Sequence, residues 1–334
     1  MVAQLDRDYI QTRPTKALNR LVSHVLFQGR PLTTSLRWMN PLLLGFYSLI
    51  MRAPQVAQVR QPIFVLGTGR SGTTILGVLL SLHPQVGFLN EPKALWHAIY
   101  PDEDIIGSYS RAPGRYRLAA ADASAATVRK AQRLYGFYQW LTRCSRVVDK
   151  YPELIFRVPF VQAIFPDAKF ILISRDGWDT VHSIATWSRN AAVRVRPGKR
   201  EDWWGADQRK WRLLVDEVVC ADPALAPLHD EIARLERQED LAAVEWIATT
   251  RQGLSLLSSL PDAAHLVRYE TLIAQPRQTL TRLLDFCQLP GDEFLLQYAE
   301  RKLRLVAPKP PFELHPAIRP LFLDTVNESQ HYGA

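Results

Sequence analysis

The segment Gly67-Thr68-Gly69-Arg70-Ser71-Gly72-Thr73-Thr74 has the residue types and spacing that most clearly indicate chemistry in this chain. It follows an apolar run at 63–66 and precedes an apolar segment at 75–82, the order of a strand, a glycine-rich turn and a helix. Such a turn points several backbone N–H groups and the positive end of the helix dipole at one place, where an anion is stabilised. The segment therefore predicts a phosphate-binding site, and a purely structural turn is the alternative.

Thr73 distinguishes this segment from the loops of enzymes that transfer phosphate. In the pattern G-x-x-x-x-G-K-[ST], Gly67, Gly72 and Thr74 match, but Thr73 stands at the lysine position. Kinases and ATPases place that lysine on the β- and γ-phosphates and usually add a metal ion. We therefore expect a loop that holds a phosphate without transferring it.

Arg175 and Ser183 form a second candidate anion site. Arg175 follows an apolar run at 169–174, and Asp176 is placed to cap the helix that comes next. Ser183 is about two helical turns farther along, on the face that begins beside Arg175. An arginine fork and a serine hydroxyl can bind one phosphate together. With the first loop, this pair predicts a ligand with two separated phosphates. The alternative is that Arg175 pairs with a core carboxylate.

Short apolar runs alternate with longer helical patterns from residue 61 onward, which predicts an α/β fold with a P-loop-like, mostly parallel central sheet flanked by helices. The candidate strands are residues 63–66, 86–89, 147–148, 170–174 and 266–268. Residues 94–145 are expected to be a mainly helical insertion, and residues 188–205 a second insertion broken by Pro197-Gly198. Prolines at 308, 310, 311, 316 and 320 predict an extended tail without regular helix.

Residues 1–60 are predicted to be a basic, mainly helical N-terminal extension, and residues 61–334 the α/β domain. The first segment holds eight Lys and Arg against Asp6 and Asp8, and so contributes six of the eight net positive charges. Its basic residues are interleaved with apolar ones, a composition that could contact an anionic membrane surface. A helical extension packed on the main domain is the alternative. We expect no transmembrane anchor, because no apolar run there approaches the roughly 20 residues of a membrane span.

The composition of the chain indicates which cellular compartment and which kinds of partner to expect. The chain has 334 residues, 47% of them hydrophobic, which is enough for a substantial core. Three scattered cysteines form no disulfide framework, which favours a reducing compartment and a cytoplasmic protein. The excess positive charge lies mainly in the N-terminal segment without a recognition motif, so we expect no nucleic-acid partner. The oligomeric state stays open, a homodimer included.

The residues that follow the predicted strands should meet, because ligands of open α/β sheets bind beyond the carboxyl ends of the strands. These positions hold Glu91 in Asn90-Glu91-Pro92, Lys150 in Asp149-Lys150, Arg175, and Tyr269 in Tyr269-Glu270. We expect the two anion sites, a carboxylate and a lysine to face one crevice.

These motifs resemble those of the sulfotransferases that use 3′-phosphoadenosine 5′-phosphosulfate (PAPS). Gly69-Arg70-Ser71-Gly72-Thr73-Thr74 is similar to the family's 5′-phosphosulfate loop, and the spacing from Arg175 to Ser183 is similar to its 3′-phosphate motif. Arg175-Asp176-Gly177 followed by Val181-His182-Ser183 most resembles the branch of the tyrosylprotein sulfotransferases and related bacterial enzymes. The resemblance covers about residues 61–290. It implies an enzyme that transfers the sulfuryl group of PAPS to a hydroxyl and releases adenosine 3′,5′-bisphosphate (PAP).

The resemblance also implies roles for individual residues. Glu91 matches the glutamate that acts as general base, and Lys150 matches the lysine that stabilises the leaving 5′-phosphate. The expected nucleotide-binding residues are Gly69, Arg70, Ser71, Gly72, Thr73, Thr74, Arg175, Ser183 and Tyr269. No metal is expected, because arginine and lysine can neutralise a sulfuryl group. A structural carboxylate at Glu91 and a surface lysine at 150 are the alternatives. His97 is the next candidate base, whereas His83 is expected to be a turn residue.

The sequence does not identify the acceptor. A glycan, a glycolipid, a tyrosine and a small metabolite all offer a suitable hydroxyl. The aromatic residues Trp96, Tyr100, Trp203, Trp204 and Trp211 could stack on such a substrate, and the basic residues Arg189, Arg194, Arg196, Lys199 and Arg200 could hold an acidic one, but core packing is the alternative for the tryptophans. Two other functions stay open: a kinase or NTPase with a degenerate loop, and an inactive nucleotide-binding module.

Overall fold

A computed structural model describes residues 5–29, 35–191, 193–196, 199–305 and 307–332. The strands are β1 (Ile63–Gly67), β2 (Val86–Asn90), β3 (Arg146–Lys150), β4 (Lys169–Ser174), β5 (Val193–Arg196), β6 (Lys199–Glu201) and β7 (Ala264–Arg268). Five of them form one parallel sheet in the order β2-β3-β1-β4-β7, and β5 and β6 form an antiparallel hairpin. The predicted α/β class and the places of the five predicted strands are confirmed.

The α-helices lie before, between and after these strands. They are α1 (Arg7–Thr12), α2 (Pro14–Leu26), α3 (Asn40–Arg52), α4 (Thr73–Ser81), α5 (Lys93–Ile99), α6 (Ala125–Thr142), α7 (Val158–Ile164), α8 (Gly177–Ala191), α9 (Arg209–Leu213), α10 (His229–Ile232), α11 (Gln238–Ser259), α12 (Tyr269–Ala274), α13 (Pro276–Phe286), α14 (Glu293–Lys302) and α15 (Arg319–His331).

Strand β1 is central to both the core and the crevice. Its side chains alternate, so Phe64 and Leu66 belong to the apolar core on one face of the sheet, and Ile63 and Val65 to the core on the other. The chain leaves β1 first toward β2, on the β3 side, and later forms β4 on the opposite side. The loop after β1 therefore lies at the point where the direction of winding reverses, where open α/β sheets bind ligands.

The described part of the N-terminal segment is mainly helical, as its pattern predicts. Tyr9 of α1 packs in the core that contains Ile63, and Tyr47 of α3 packs in the core that contains Phe64. The division of the chain at residues 60 and 61 stays a prediction. In the part of the chain that the structure describes, no helix is both long and apolar enough to cross a membrane.

The insertions and the tail depart in part from expectation. Residues 104–119 are irregular, and the Asp104 carboxylate orders their start by accepting four backbone N–H bonds, from Gly107 to Ser110. The second insertion contains the β5–β6 hairpin, and Pro197-Gly198 lies outside the described residues. The expectation that Pro320 excludes a helix is wrong. It occupies the first turn of α15, where its missing N–H costs no hydrogen bond.

Candidate active site

A cleft of about 980 Å³ opens at the carboxyl edge of the sheet. It brings together most of the residues that the sequence singles out. Those lining it are Gly69, Arg70, Gly72, Thr73, Thr74, Glu91, Lys150, Arg175, Ser183 and Tyr269. The predicted meeting of the loop, the lysine, the carboxylate and the second cationic site in one crevice is therefore confirmed as a spatial arrangement.

The loop after β1 reverses direction through left-handed backbone. Arg70 has φ +71° and Gly72 has φ +99°, and alternation of this kind turns successive N–H groups toward one concavity. A Cβ atom at Gly72 would lie 2.4 Å from the Tyr269 ring, and one at Gly69 would lie 2.5 Å from the indole of Trp203. Close neighbours therefore require glycine at both positions, and the left-handed backbone requires it at Gly72 as well.

The first turn of α4 completes this candidate anion site. The backbone N–H groups at its start have no helical acceptors, and Thr73 and Thr74 add hydroxyls that line the cleft. Ser71 is different, because its hydroxyl donates to the Thr68 carbonyl oxygen at 2.6 Å and its side chain is buried under the loop. Ser71 therefore fixes the shape of the loop, and its side chain does not line the cleft.

Arg175 lies at the end of β4, beside the loop. Its Nη2 donates to Asp179 Oδ2 at 3.0 Å, and its guanidinium carbon stands 4.6 Å from the centre of the Tyr269 ring. The carboxylate partner that the sequence left open is therefore present. The Nε of Arg175 is buried without a hydrogen-bond partner among the described residues, so the guanidinium has an unused donor, and Arg175 is one of the residues that line the cleft.

Ser183 reaches the same place from α8, which Asp176 caps by accepting the Asp179 N–H at 3.0 Å. Its hydroxyl contacts Arg70 and not Arg175, since Arg70 Nε donates to Ser183 Oγ at 3.1 Å. The carbonyl oxygen of Arg70 in turn lies 3.4 Å from Arg175 Nη1. The structure thus adds Arg70 to the pair that the sequence predicts, and it joins the two candidate anion sites through one arginine.

Glu91 follows β2 in a strained backbone conformation. Its φ is +50°, which is uncommon for a residue with a long side chain and is often stored at functional sites. The Glu91 N–H donates to the Lys150 carbonyl oxygen at 2.7 Å, and the Lys93 N–H donates to the Glu91 carbonyl oxygen at 2.7 Å. These bonds hold the carboxylate at the edge of the cleft, where 40% of its side-chain surface is exposed.

Lys150 is a buried partner of Glu91. Its ammonium group donates to Glu91 Oε1, and only 2% of its side chain is exposed, so the alternative of a surface lysine is excluded. Burial raises the pKa of the Glu91 carboxyl, but the charges of Lys150 and Lys93 outweigh burial and hold that pKa below its ordinary value. The Glu91 carboxyl is therefore ionised at neutral pH.

Lys93 links Glu91 to a chain of charges that runs under the cleft. Its ammonium nitrogen lies 3.7 Å from Glu91 Oε2 and 3.6 Å from Glu153 Oε1. Burial lowers the pKa of Lys93, but Glu153 and Glu91 reverse this effect and raise it above its ordinary value. For the Glu153 carboxyl, burial raises the pKa, but the charges of Lys93 and Lys210 outweigh burial and lower that pKa to about 2.

Lys210 continues the chain to the loop side of the cleft. Its ammonium nitrogen lies 3.5 Å from Glu153 Oε1 and 2.5 Å from Glu245 Oε1. Glu245 Oε2 accepts the indole N–H of Trp203 at 2.6 Å, and Trp203 packs against Gly69. Alternating lysines and glutamates therefore connect the candidate base to the anion-binding loop.

Sequence reasoning did not find Lys93, Glu153, Lys210 or Glu245. A local signal existed for two of them, because Lys93 follows Glu91-Pro92 and Glu153 follows Lys150-Tyr151-Pro152. Charged residues directly after a strand and a proline are positioned beside the carboxyl edge. Lys210 and Glu245 gave no such signal, because they come from helices far away in sequence.

Asp149, next to Lys150, is completely buried. Its Oδ2 accepts the indole N–H of Trp96 at 2.8 Å and the hydroxyl of Tyr135. Burial raises its pKa to about 7, against the opposing effect of these two hydrogen bonds. Trp96 is thereby a core residue that supports β3 and lies beneath the cleft.

The other residues that the sequence singles out differ in whether they lie in the core or line the cleft. His83 bonds the Pro290 carbonyl and the Gln85 N–H, which confirms it as a turn residue. His97 stacks on Tyr109, with ring centres 5.1 Å apart, and does not line the cleft. Among the tryptophans, Trp204 and Trp211 are buried in the core, whereas Trp203 lines the cleft. The side chains of Arg194, Arg196, Lys199 and Arg200 lie outside the described residues.

Among known proteins, this chain is similar to several that are named sulfotransferases. The chain is 24% identical over 250 residues to a putative protein-tyrosine sulfotransferase of Caenorhabditis briggsae, covering 73% of this chain and 71% of that protein. It is 22% identical over 249 residues to the protein-tyrosine sulfotransferase of Drosophila melanogaster, covering 71% and 40%. An uncharacterised protein of Aquifex aeolicus is 23% identical over 250 residues, covering 73% and 27%. The chain thus spans less than half the length of two of these three relatives.

Solved sulfotransferases are similar at a greater distance. Sulfotransferase STF9 of Mycobacterium avium is 14% identical with a TM-score of 0.46, covering 96% of this chain and 88% of that one. The sulfotransferase domain of the curacin biosynthetic pathway is 16% identical with a TM-score of 0.45, covering 80% and 98%. The model of the sulfotransferase family matches residues 62–293, which include the loop, the carboxylate, the lysine and the second cationic site. The chain belongs to the sulfotransferase family.

Proposed function

We propose that this protein transfers the sulfuryl group of PAPS to a hydroxyl acceptor, with Glu91 as general base and Lys150 at the leaving group. One observation carries the proposal. A single cleft contains a loop built for one anion, a second cationic site at Arg175 and Ser183, and the ion pair of Glu91 with Lys150. Family membership supports sulfuryl transfer as the reaction class.

The residues present fit a nucleotide with phosphates at both the 5′ and 3′ positions. The 5′ group would be held by the N–H groups of the loop, by Arg70, and by the hydroxyls of Thr73 and Thr74. The 3′-phosphate would be held by Arg175, whose buried Nε lacks a partner among the described residues, and by Ser183. The Arg175 guanidinium carbon lies over the Tyr269 ring, 4.6 Å from its centre, and this cation–π contact would help to hold the guanidinium beside the 3′-phosphate.

PAPS supplies an electrophilic sulfuryl group attached to a phosphate that can leave. Transfer forms a bond between the acceptor oxygen and sulfur, breaks the bond from sulfur to the 5′-phosphate oxygen, and releases one proton. The Glu91 carboxylate takes that proton, which makes the acceptor oxygen a better nucleophile. If the Lys150 ammonium reached the oxygen that gains charge, it would stabilise the transition state more than the ground state.

In this proposal Lys150 serves both the Glu91 carboxylate and the leaving 5′-phosphate. Lys93 keeps a positive charge beside the carboxylate when Lys150 turns away. A lysine that turns toward the 5′-phosphate loosens its bond to Glu91, and the pKa of the carboxyl then rises. Glu91 becomes a stronger base at that moment. Lys93 stays 3.7 Å from the carboxylate and keeps it ionised and in place.

The acceptor is proposed only as a class. A hydroxyl of a glycan, a glycolipid, a tyrosine or a small metabolite fits the chemistry, and relatives named protein-tyrosine sulfotransferases support a phenol among them. The aromatic rings of Trp203 and Tyr109 line the cleft and could pack on such a group.

We also propose a reducing, cytoplasmic location, which the three unpaired cysteines support.

A thermal melting series tests the nucleotide. Because a ligand that binds only the native state raises the melting temperature, PAP should stabilise the protein without added metal, and ATP should do much less. The kinase alternative predicts the opposite order, with the largest rise for ATP plus magnesium. No shift with any of the three nucleotides would favour a different ligand and overturn the proposal.

A further inference from the structure

The large exposed apolar side chains of the described residues are concentrated in one part of the molecule. Nine lie between Ile10 and Val56, two lie at the end of α6, and among those described only Leu305 lies elsewhere. They are Ile10, Leu18, Leu21, Val25, Leu36, Trp38, Leu42, Leu49 and Val56, then Trp140 and Leu141. A concentration of this kind on a protein surface indicates a contact with something apolar.

Helices α2, α3 and the end of α6 touch one another and form one layer. The Asn19 side chain of α2 donates to the Thr142 carbonyl oxygen of α6 at 2.7 Å, and the Tyr47 hydroxyl of α3 donates to the Leu26 carbonyl oxygen at 2.9 Å. The rings of Phe46 and Phe137 meet edge to face at 5.8 Å between α3 and α6. We call the exposed side of this layer the apolar basic face.

Helix α2 buries charged residues and exposes apolar ones, which is the reverse of an ordinary surface helix. Its charged residues point inward, since Lys16 Nζ donates to the Pro84 carbonyl oxygen at 3.0 Å and the Arg20 guanidinium lies 4.3 Å from the centre of the Phe88 ring. Its apolar residues Leu18, Leu21 and Val25 recur at helical spacing and are exposed. Burying charged side chains while leaving leucine and valine exposed is unfavourable in water. The pattern therefore indicates that the exposed side of α2 contacts something apolar.

On α3, the exposed stripe begins just before the helix. Trp38, Leu42 and Leu49 are 64%, 68% and 66% exposed, and their spacings of four and seven residues place them on one side of the chain. Trp140 at the end of α6 is 58% exposed and packs on Phe137. Tryptophans are the side chains that prefer the boundary between the acyl chains and headgroups of a membrane.

The charge of this layer has one sign. The sequence contains no aspartate or glutamate between Asp8 and Glu91, and none in residues 125–143. Lys16 and Arg20 point inward, but other cations of these two segments are exposed, namely Arg37, Arg52, Arg60, Arg129 and Arg143. An anionic membrane attracts each such cation that comes near its surface. A second copy of the chain would bring two positive faces together, because the interface of a symmetric dimer is self-complementary, so repulsion disfavours that occupant.

We propose that the apolar basic face docks on the surface of an anionic membrane, with Trp38, Leu42, Leu49 and Trp140 in the headgroup region. The face adjoins the cleft, because Leu36 belongs to it and also lines the cleft. Docking would place the entrance of the cleft beside the bilayer. This proposal concerns binding alone and does not depend on the proposed function.

Co-sedimentation with vesicles tests this docking. The full chain should bind vesicles of phosphatidylcholine with phosphatidylglycerol, bind vesicles of phosphatidylcholine alone at least tenfold more weakly, and lose affinity as salt rises. The triple variant Trp38→Ser, Leu42→Ser, Trp140→Ser should bind the anionic vesicles at least tenfold more weakly. The matched control is Leu305→Ser, which removes an exposed leucine outside the face and should bind normally.

Melting curves with and without PAP show that each variant is folded, and they also separate this test from the test of the proposed function. Absence of binding to the anionic vesicles, equal binding to both kinds of vesicle, or normal binding by the triple variant would overturn the proposal. A concentration-dependent dimer in light scattering that the triple variant abolishes would instead assign the face to a second copy of this chain.

Discussion

The cleft has two walls that are constructed differently. The wall that we propose binds the nucleotide, called the nucleotide wall, presents backbone N–H groups and two arginines, and it consists of Gly69, Arg70, Gly72, Thr73, Thr74, Arg175, Ser183 and Tyr269. The wall that we propose transfers the proton, called the proton-transfer wall, consists of Glu91, Lys150 and Lys93, and it rests on buried charges from several separate segments. On the first wall, geometry comes from a turn and two helix starts. On the second, it comes from ion pairs between distant residues.

This difference has consequences for the two kinds of substitution. Backbone donors survive the loss of a neighbouring side chain, so binding by the nucleotide wall should fall only when a charged contact is removed. The proton-transfer wall depends on one carboxylate in one protonation state, so substitution of that carboxylate should abolish most of the reaction. The predictions below test this contrast, beginning with the largest effect.

Glu91→Gln should lower the rate of sulfuryl transfer by about 10²-fold or more and leave PAP affinity unchanged, because an amide cannot take the acceptor proton. The measurement is turnover of an acceptor found by screening labelled PAPS against a cell lysate. Glu236→Gln is the matched control, because Glu236 is exposed and is not one of the residues that line the cleft. Wild-type turnover by folded Glu91→Gln protein would move the base elsewhere.

Arg175→Ala should weaken PAP binding by roughly 2–3 kcal/mol, the scale of a lost charge-assisted hydrogen bond, which is about 30- to 150-fold in Kd. Titration calorimetry measures it. Arg189→Ala is the control, since Arg189 lies on α8 near Arg175 in sequence but is paired with Glu239 at the surface. Equal affinities of wild type and Arg175→Ala would remove the second anion site.

Ser183→Ala should have a smaller effect on the same wall, about 0.5–1.5 kcal/mol of PAP binding, because one neutral hydroxyl is lost and Arg70 remains. The same calorimetric titration decides it. A loss as large as that of Arg175→Ala would show that Ser183 mainly positions Arg70.

Lys93→Met should reduce turnover only a few-fold at neutral pH, about 0.5–1 kcal/mol, as expected for a partly exposed ion pair. The sign of its effect on pH dependence is definite. Lys93 lowers the pKa of Glu91, so its removal raises that pKa and moves the acid limb of the rate profile to higher pH. An unmoved acid limb would show that Lys93 does not act on the base.

The nucleotide wall was largely predictable from the sequence, and the proton-transfer wall only in part. The loop and the spacing from Arg175 to Ser183 are local patterns, and strand order alone brings them to one edge. Glu91 and Lys150 could be placed for the same reason, because each directly follows a strand. The contact of Arg70 with Ser183 could not be predicted, because it depends on the left-handed turn at Arg70.

The charge chain shows where sequence reasoning stops. Lys210 and Glu245 lie on α9 and α11, and their contacts with Glu153 and Trp203 depend on how those helices pack. No periodicity specifies such packing. The inverted polarity of α2 is similar: the sequence shows a basic amphipathic segment, but only the structure shows that Lys16 and Arg20 point inward.

The most direct test of the central claim compares PAP with adenosine 5′-monophosphate, which lacks the 3′-phosphate, by titration calorimetry without metal. The account predicts that wild type binds PAP much more tightly than the monophosphate, and that Arg175→Ala loses most of this preference while its affinity for the monophosphate is nearly unchanged. Equal affinity of wild type for the two nucleotides, or a preference that requires magnesium, would contradict the account.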